Sequence, residues 1–183
     1  MGTTYKVLIL GASYGSLLGA KMALAGHTVK LVCLPEEVEL INSEGAKVRF
    51  AARGDDGLVE LNTQDMPGDL SADGPADVVP ADYDLIALAM QEPQYGVPAV
   101  AELMSRVAAS GKPCMSIMNM PPLTYLRRFS RLNADGLKSS YTKPSVWDDF
   151  DPALMTLCSP DPQAFRPPDE KINVLQVGLP TNF

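Results

Sequence analysis

A strand, a glycine turn, a helix and a second strand follow one another near the start of the sequence, and this order constrains the fold most. Residues 5–10 are a nearly continuous apolar run that ends at Gly11, typical of a strand buried on both faces of a parallel sheet. Residues 16–25 are rich in Ala, Leu and Met and end before Gly26, which predicts a helix. Residues 28–33 predict the second strand. Such a unit joins parallel strands through a right-handed crossover, so we expect an α/β fold.

The rest of the chain continues the alternation of strands and helices. The predicted elements are a helix at 35–45, a hairpin of strands at 47–52 and 58–61, a loop over 62–81 with a small strand at 78–79, a strand at 84–90, a helix at 97–110, a strand at 113–118, a short helix at 123–131, irregular chain beyond 132 and a late strand at 172–177. This order favours a doubly wound, mostly parallel sheet, to which we expect the hairpin to be added. We expect residues 1–183 to form a single domain.

The segment between the first strand and the first helix carries the strongest chemical signal. Its candidate cofactor-binding residues are Gly11, Ala12, Ser13, Tyr14, Gly15 and Ser16. In dinucleotide-binding folds a glycine here permits a tight turn, and backbone N–H groups at the helix start approach a pyrophosphate. Gly11 and Gly15 fit these roles, while Gly19 would let the helix lie close to the sheet. A tight structural turn without a ligand is the alternative.

Composition and charge exclude several classes of protein. The chain has 183 residues, is 46% hydrophobic and 20% charged, and suits one globular domain. A net charge of -7 and a pI near 4.6 argue against a nucleic acid partner, because binding DNA needs a basic face. No apolar run approaches the roughly 18 residues that span a bilayer, and no signal peptide precedes the first strand, so we expect a cytoplasmic protein without a membrane partner. The three cysteines are far apart and predict neither disulfides nor a metal site.

The opening of the chain resembles a known family. Residues 11–32, GASYGSLLGAKMALAGHTVKLV, are similar to the start of ketopantoate reductases (2-dehydropantoate 2-reductases), which usually reads GAGAxGxxxGAxLAxAGHxVxLV. The similarity continues in YDLIALAM at 83–90 and SIMNMPP at 116–122, and it covers about residues 1–125. The resemblance implies a Rossmann NAD(P)-binding domain of an oxidoreductase that transfers hydride between its cofactor and a small 2-keto or 2-hydroxy acid. It favours NADP as the cofactor, with NAD as the alternative.

The resemblance also implies roles for residues that follow two later strands. Asn119 matches an asparagine that lies near the nicotinamide and the substrate in the family, which implies a catalytic role in orienting the 2-keto acid; an Asn in a turn is the alternative. Met90 stands where many relatives carry Lys, and Gln91 comes just past the strand end, so both are candidate cofactor contacts, with a surface loop as the alternative. Residues 33–35 offer neither the acid that selects NAD nor the arginine that selects NADP.

A proton donor for ketone reduction is not evident in the sequence. In the resembled family a general-acid lysine and a glutamate partner lie in a helical second domain, which we expect to be absent here. Lys143 and Lys171 are better interpreted as surface lysines, and His27 at a helix-to-strand turn as structural. We therefore expect a fragment, or a half-protein that completes its site by association, for example as a homodimer. A non-catalytic nucleotide-binding or regulatory module is the second hypothesis, and an opine-type dehydrogenase with the same opening is the third.

Overall fold

The computed structural model describes residues 2–51, 57–158 and 164–178 as strands and helices packed in layers. The strands are β1 (Lys6–Leu10), β2 (Thr28–Val32), β3 (Lys47–Ala51), β4 (Leu58–Asn62), β5 (Asp69–Asp73), β6 (Leu85–Leu88), β7 (Cys114–Ser116), β8 (Met155–Leu157), β9 (Ala164–Phe165) and β10 (Val174–Val177). The α-helices are α1 (Ser13–Leu24), α2 (Pro35–Glu44), α3 (Pro98–Ser110) and α4 (Leu123–Leu126).

Six of these strands form one all-parallel sheet in the order β5-β2-β1-β6-β7-β8. Strand β1 pairs with β2 on one side and with β6 on the other, so the strand order reverses at β1. Leu8, Ile9 and Leu10 are fully buried because both faces of the sheet are covered. This is the doubly wound sheet that the sequence predicts, and the predicted fold class is confirmed.

The remaining four strands form a second, mixed sheet in the order β4-β3-β10-β9. The predicted hairpin is present as the antiparallel pair β3 and β4, and β10 runs parallel to β3. The expectation that this hairpin is added to the main sheet is wrong. Val48 and Phe50 on β3 form a separate core with Leu175 and Val177 on β10, which keeps the hairpin away from the main sheet.

Helix α1 lies between the two sheets. On one side Gly15 and Gly19 rest on apolar side chains of the main sheet. On the other side Leu17 and Ala20 are buried in the core of the second sheet. A helix covered on two sides has to be apolar around most of its circumference, which explains the density of Ala, Leu and Met in its sequence.

Glycines end the helices α2 and α3 where the sequence predicts. Gly45 follows α2 with φ +78°, and Gly111 follows α3 with φ +62°. Helix α1 starts at Ser13 rather than at the predicted residue 16, because the chain turns after β1 within two residues. Helix α4 ends at Leu126, well before the predicted residue 131.

Two strands of the main sheet are absent from the sequence-based prediction. β5 lies inside the predicted loop over 62–81 and pairs residue for residue with β2, whereas residues 78–79 form no strand. β5 is an edge strand that fully buries only Ala72 and carries Asp69 and Asp73 at its ends. Its sequence therefore contains no apolar run. β8 lies in the predicted irregular region and is only three residues long.

The region between α4 and β8 consists of three 3₁₀ helices over Ala134–Ser140, Pro144–Trp147 and Pro152–Leu154. Trp147 is completely buried there, with its ring centroid 5.2 Å from that of Tyr95. Trp147 is therefore a core residue, and it packs this region against the segment that follows β6.

Two further kinds of feature are absent from the described residues. None of the helices there combines the length and the apolar character needed to cross a bilayer. The same residues hold no group of three or more His, Cys, Asp or Glu side chains placed to bind a metal ion.

Candidate functional site

A cleft of about 520 Å³ opens at the carboxyl ends of β1, β2 and β6. Its described lining consists of Gly11, Ala12, Ser13, Val32, Cys33, Leu34, Pro35, Glu37, Pro75, Ala89, Met90, Gln94, Val97, Ala99, Val100 and Arg166. The cleft thus lies where the strand order reverses, which is where open α/β sheets bind their ligands. Its volume is in the range of small-molecule sites, and its lining is mostly apolar.

The floor of the cleft is the turn after β1. Gly11 has φ +109°, and its N–H donates to the carbonyl oxygen of Val32 at 2.8 Å. A Cβ atom at this position would lie 2.9 Å from the carbonyl oxygen of Ala89 and 3.0 Å from Cγ of Met90. Both the backbone conformation and the available space therefore require glycine at this turn.

The start of α1 provides unpaired donors beside this turn. The first N–H groups of any α-helix lack acceptors within the helix. Ala12 is the N-cap of α1, and its side chain has no oxygen that could accept from these N–H groups. The first turn of α1 also contains no acidic residue. Ala12 and Ser13 both line the cleft, so the positive end of the helix dipole faces it. This arrangement suits an anionic group such as a phosphate.

The other candidate residues of the loop lie outside the cleft lining. A Cβ atom at Gly15 would lie 2.8 Å from Cγ2 of Ile9, so Gly15 is where α1 rests on β1. The hydroxyl of Ser16 donates to the carbonyl oxygen of Ala12. Tyr14 is half-buried in the first turn of the helix. Gly11, Ala12 and Ser13 are therefore the loop residues that the fold brings to the cleft.

Of the candidate residues that follow β6 and β7, one lies in the described lining of the cleft and two lie outside it. Met90 lines the cleft, and its N–H donates to the hydroxyl oxygen of Tyr95 at 3.1 Å. Gln91 is exposed and outside the lining, whereas Gln94, whose Oε1 accepts from the Gln91 N–H at 2.7 Å, lines it. Asn119 is exposed just past β7, at the same edge of the sheet but outside the described lining.

Two charged residues that are not among the predicted site residues meet at the opposite end of the cleft. Arg166, which follows β9, donates from Nη2 to Oε1 of Glu37 in the first turn of α2. These residues are 129 positions apart in the chain, and no local pattern marks Arg166 as part of a site. Only the pairing of the second sheet brings Arg166 to the carboxyl end of β2.

No family model matches the sequence, and no curated protein matches it significantly. Solved structures do match. A structure from Ralstonia solanacearum MolK2, assigned as a ketopantoate reductase, is 16% identical with a TM-score of 0.61, over 96% of this chain and 50% of that chain. A structure from Enterococcus faecalis, assigned as a 2-dehydropantoate 2-reductase, is 14% identical with a TM-score of 0.54, over 94% of this chain and 45% of that chain.

The chain has the fold of ketopantoate reductase structures. The resemblance noted in the sequence is thereby confirmed at the level of the fold. The structural likeness also extends well beyond residue 125, where the sequence similarity ends, because it covers 96% of the chain. The chain spans about half the length of the two proteins it matches.

Within this ketopantoate reductase fold, burial controls the chemistry of the cleft. It raises the pKa of the Cys33 thiol to about 12; the Glu37 carboxylate adds to this effect and Arg166 opposes it. The thiol is consequently neutral near pH 7 and is not an activated nucleophile. Burial also raises the pKa of the Tyr95 hydroxyl well above its usual range, so Tyr95 stays protonated while it accepts from the Met90 N–H.

The loop between β6 and α3 is held by a buried carboxylate. Glu92 is 9% exposed and accepts from Thr142 twice, from the backbone N–H at 2.9 Å and from the hydroxyl at 2.8 Å. This pair connects the loop that carries Met90 and Gln94 to the 3₁₀ region. These hydrogen bonds stabilise the loop that forms this wall of the cleft.

Proposed function

We propose that this chain binds a nicotinamide dinucleotide and serves a ketopantoate-reductase-like oxidoreductase, in which hydride passes between NADP(H) or NAD(H) and a small 2-keto or 2-hydroxy acid. The observation that carries the proposal is the uncapped start of α1, which faces a cleft at the switch point over a turn that only glycine fits. NADP(H) is the form that the sequence resemblance favours.

The residues of the cleft fit such a cofactor. The N–H groups at the start of α1 would hold the pyrophosphate, since no side chain caps them and Ala12 and Ser13 line the cleft. Leu34 and Val97 line two walls of the cleft and are 66% and 50% exposed, which offers apolar surface to a flat base. A bound nicotinamide ring supplies the hydride, and the protein supplies position and electrostatics.

Asn119 is the proposed contact to the 2-keto acid. It lies past the end of β7, one strand beyond the Met90 wall, where the nicotinamide end of an extended dinucleotide would lie. Its amide would donate to the substrate's carboxylate or carbonyl oxygen and so orient the carbon that accepts hydride. Gln91 and Met90, in the loop after β6, are the proposed contacts to the neighbouring ribose.

A non-catalytic binding module is the second candidate function, and the described lining of the cleft favours it in one respect. Ketone reduction needs a proton donor at the carbonyl oxygen. The ionisable side chains of the described lining are Cys33, Glu37 and Arg166, and none of these is a lysine or a histidine. Loss of NADPH absorbance on adding a 2-keto acid to this chain would support the enzyme and contradict the module.

Calorimetric titration with NADPH and with NADH tests the proposed binding. The sharpest variant is Ser13→Asp, which places a carboxylate where the pyrophosphate is expected and also favours the helix start, so the fold is retained. Ser13→Asn has the same size without the charge. We expect saturable binding by the wild type and by Ser13→Asn, and affinity about tenfold weaker or worse for Ser13→Asp. Absence of binding, or equal affinity in all three proteins, would contradict the proposal.

A further inference from the structure

The Glu37 and Arg166 pair occupies the part of the cleft formed by the carboxyl end of β2. Arg166 lines the cleft together with Cys33 and Leu34, the first two residues after that strand. In doubly wound folds, the side chain at this strand end faces the ribose of the adenosine half. An acid there binds the 2′-hydroxyl of NAD, and an arginine accommodates the 2′-phosphate of NADP.

The residues that directly follow β2 cannot make this distinction. Cys33 is a neutral thiol, Leu34 is apolar, and Pro35 has no side-chain donor. Any selection at this position therefore has to come from another element. The two charged side chains of the described lining, Glu37 and Arg166, are the groups present there.

We propose that Arg166, supplied by the second sheet, is the residue that recognises the 2′-phosphate of NADP(H), and that Glu37 orients its guanidinium toward the cleft. This inference rests on the proposed dinucleotide-binding function. Arg166 lies 129 positions from Glu37, its partner in α2. The phosphate subsite would thus be shared between the doubly wound domain and the mixed sheet.

The geometry of the pair supports this role. Glu37 is 7% exposed, and its second oxygen, Oε2, accepts from the Leu34 N–H at 2.9 Å, so its carboxylate is fixed on both sides. The side chain of Arg166 is 25% exposed, and its described partner is Glu37, bonded through Nη2. A guanidinium carries five N–H donors in a planar fork, which leaves donors on its remaining nitrogens for a phosphate.

Glu37 also opposes an extra phosphate through its charge. The ion pair has no net charge. A bound phosphate would be attracted by the Arg166 guanidinium and repelled by the nearby Glu37 carboxylate. Glu37→Gln would remove this charge but also one of the two acceptor oxygens that bind Arg166 and the Leu34 N–H, so it does not isolate the charge. Substitution of Arg166 is therefore the direct test, because a purely structural ion pair would not change the preference between phosphorylated and unphosphorylated ligands.

The test compares NADPH with NADH, and 2′,5′-ADP with 5′-AMP, by calorimetry on the full chain. The adenosine phosphates isolate the 2′-phosphate from the nicotinamide half. We expect the wild type to prefer the 2′-phosphorylated ligand in both pairs. Arg166→Gln should reduce that preference about tenfold to a hundredfold while NADH affinity stays within about threefold.

Arg49→Gln is the matched control. Arg49 lies on β3 of the same second sheet and pairs with Glu60 and Glu170, but it is not part of the described cleft lining. We expect it to leave the NADPH-to-NADH ratio unchanged. Thermal unfolding of every variant shows whether the fold is kept, and Arg166→Lys, which keeps the charge without the fork, should fall between the wild type and Arg166→Gln.

The outcomes separate this inference from the function on which it rests. If the wild type binds both dinucleotides and Arg166→Gln weakens them equally or not at all, Arg166 is not the phosphate-binding residue, and the proposed function stands. A wild type that prefers NADH likewise overturns the role of Arg166. If the wild type binds neither dinucleotide, the proposed function fails and this inference with it.

Discussion

A Cβ atom on Gly11 would lie 2.9 Å from the carbonyl oxygen of Ala89. This close approach connects the turn after β1 to the end of β6, the two strands between which the sheet order reverses. The Ala89 N–H also donates to the carbonyl oxygen of Leu10 at 2.9 Å. The floor of the cleft is therefore a backbone-to-backbone contact, and its shape depends on the absence of a side chain at one position.

Gly11→Ala should destabilise the fold more than a glycine substitution that meets no obstacle. The new methyl group meets backbone at Ala89, and φ +109° is unfavourable for alanine, so we expect a loss of about 2 to 4 kcal/mol in the free energy of unfolding. Gly26→Ala is the control, because Gly26 has φ +85° and nothing within 4 Å of the added atom. It should cost about 1 to 2 kcal/mol. Equal losses in urea denaturation would show that the Ala89 contact is unimportant.

Two glycines in α1 should respond differently to alanine. Each substitution gains about 1 kcal/mol in helix propensity, and each methyl group meets a side chain at 2.8 Å. At Gly15 the obstacle is Cγ2 of Ile9, which is stiff because Ile is β-branched; at Gly19 it is Cδ1 of Leu70, the end of a flexible side chain. We expect a loss of about 1 to 3 kcal/mol for Gly15→Ala and a change close to zero for Gly19→Ala. The reverse order in chemical denaturation would contradict this packing.

The cysteines should react with iodoacetamide in an order set by burial. Burial raises the pKa values of Cys33 and Cys114 to about 12, so both remain protonated and unreactive between pH 7 and 9 and become thiolates only toward pH 12. Cys158 is half-exposed and should be modified first. Mass spectrometry of the alkylated protein gives the order, and the Cys158→Ser variant should show almost no early labelling. Labelling of Cys33 in the folded protein as fast as that of Cys158 would be inconsistent with the buried cleft wall.

Removing the hydroxyl of Thr142 should loosen the loop that Glu92 holds. Thr142→Val deletes one of the two hydrogen bonds that the buried carboxylate accepts, so we expect a loss of about 1 to 2 kcal/mol in the free energy of unfolding. Thr156→Val on β8 removes an exposed hydroxyl and should change stability by less than about 0.5 kcal/mol. Similar effects of both substitutions in urea denaturation would show that the Glu92 bond contributes little.

Much of the fold was predictable because its central strands are apolar on both faces. Residues 84–90 predict β6 in this way, and glycine caps such as Gly111 mark the ends of helices. β5 is not evident in the sequence because this edge strand fully buries only Ala72, which lies between Ser71 and Asp73. The second sheet is not evident in the sequence for another reason. Apolar and polar residues alternate along β3, which shows that one face of the strand is buried but not which element covers that face.

The candidate site was predictable where it is local in sequence. Gly11, Ala12 and Ser13 follow β1 directly, so their place at the cleft follows from the strand–turn–helix order. Arg166 reaches the same cleft only through the pairing of β9 and β10 in the second sheet, a long-range contact with no local pattern. Glu37 is visible in the sequence as an acid in the first turn of α2, but its partner is not.

The most direct test of the proposed site is an NMR titration of the ¹⁵N-labelled chain with NADPH, observed through the backbone amides. We predict the largest shifts at the amides of residues 12–15, with smaller shifts at Leu34 and Val97 on the two walls of the cleft. Shifts confined to residues outside the cleft, or none at saturating NADPH, would contradict the central claim that the start of α1 holds a dinucleotide.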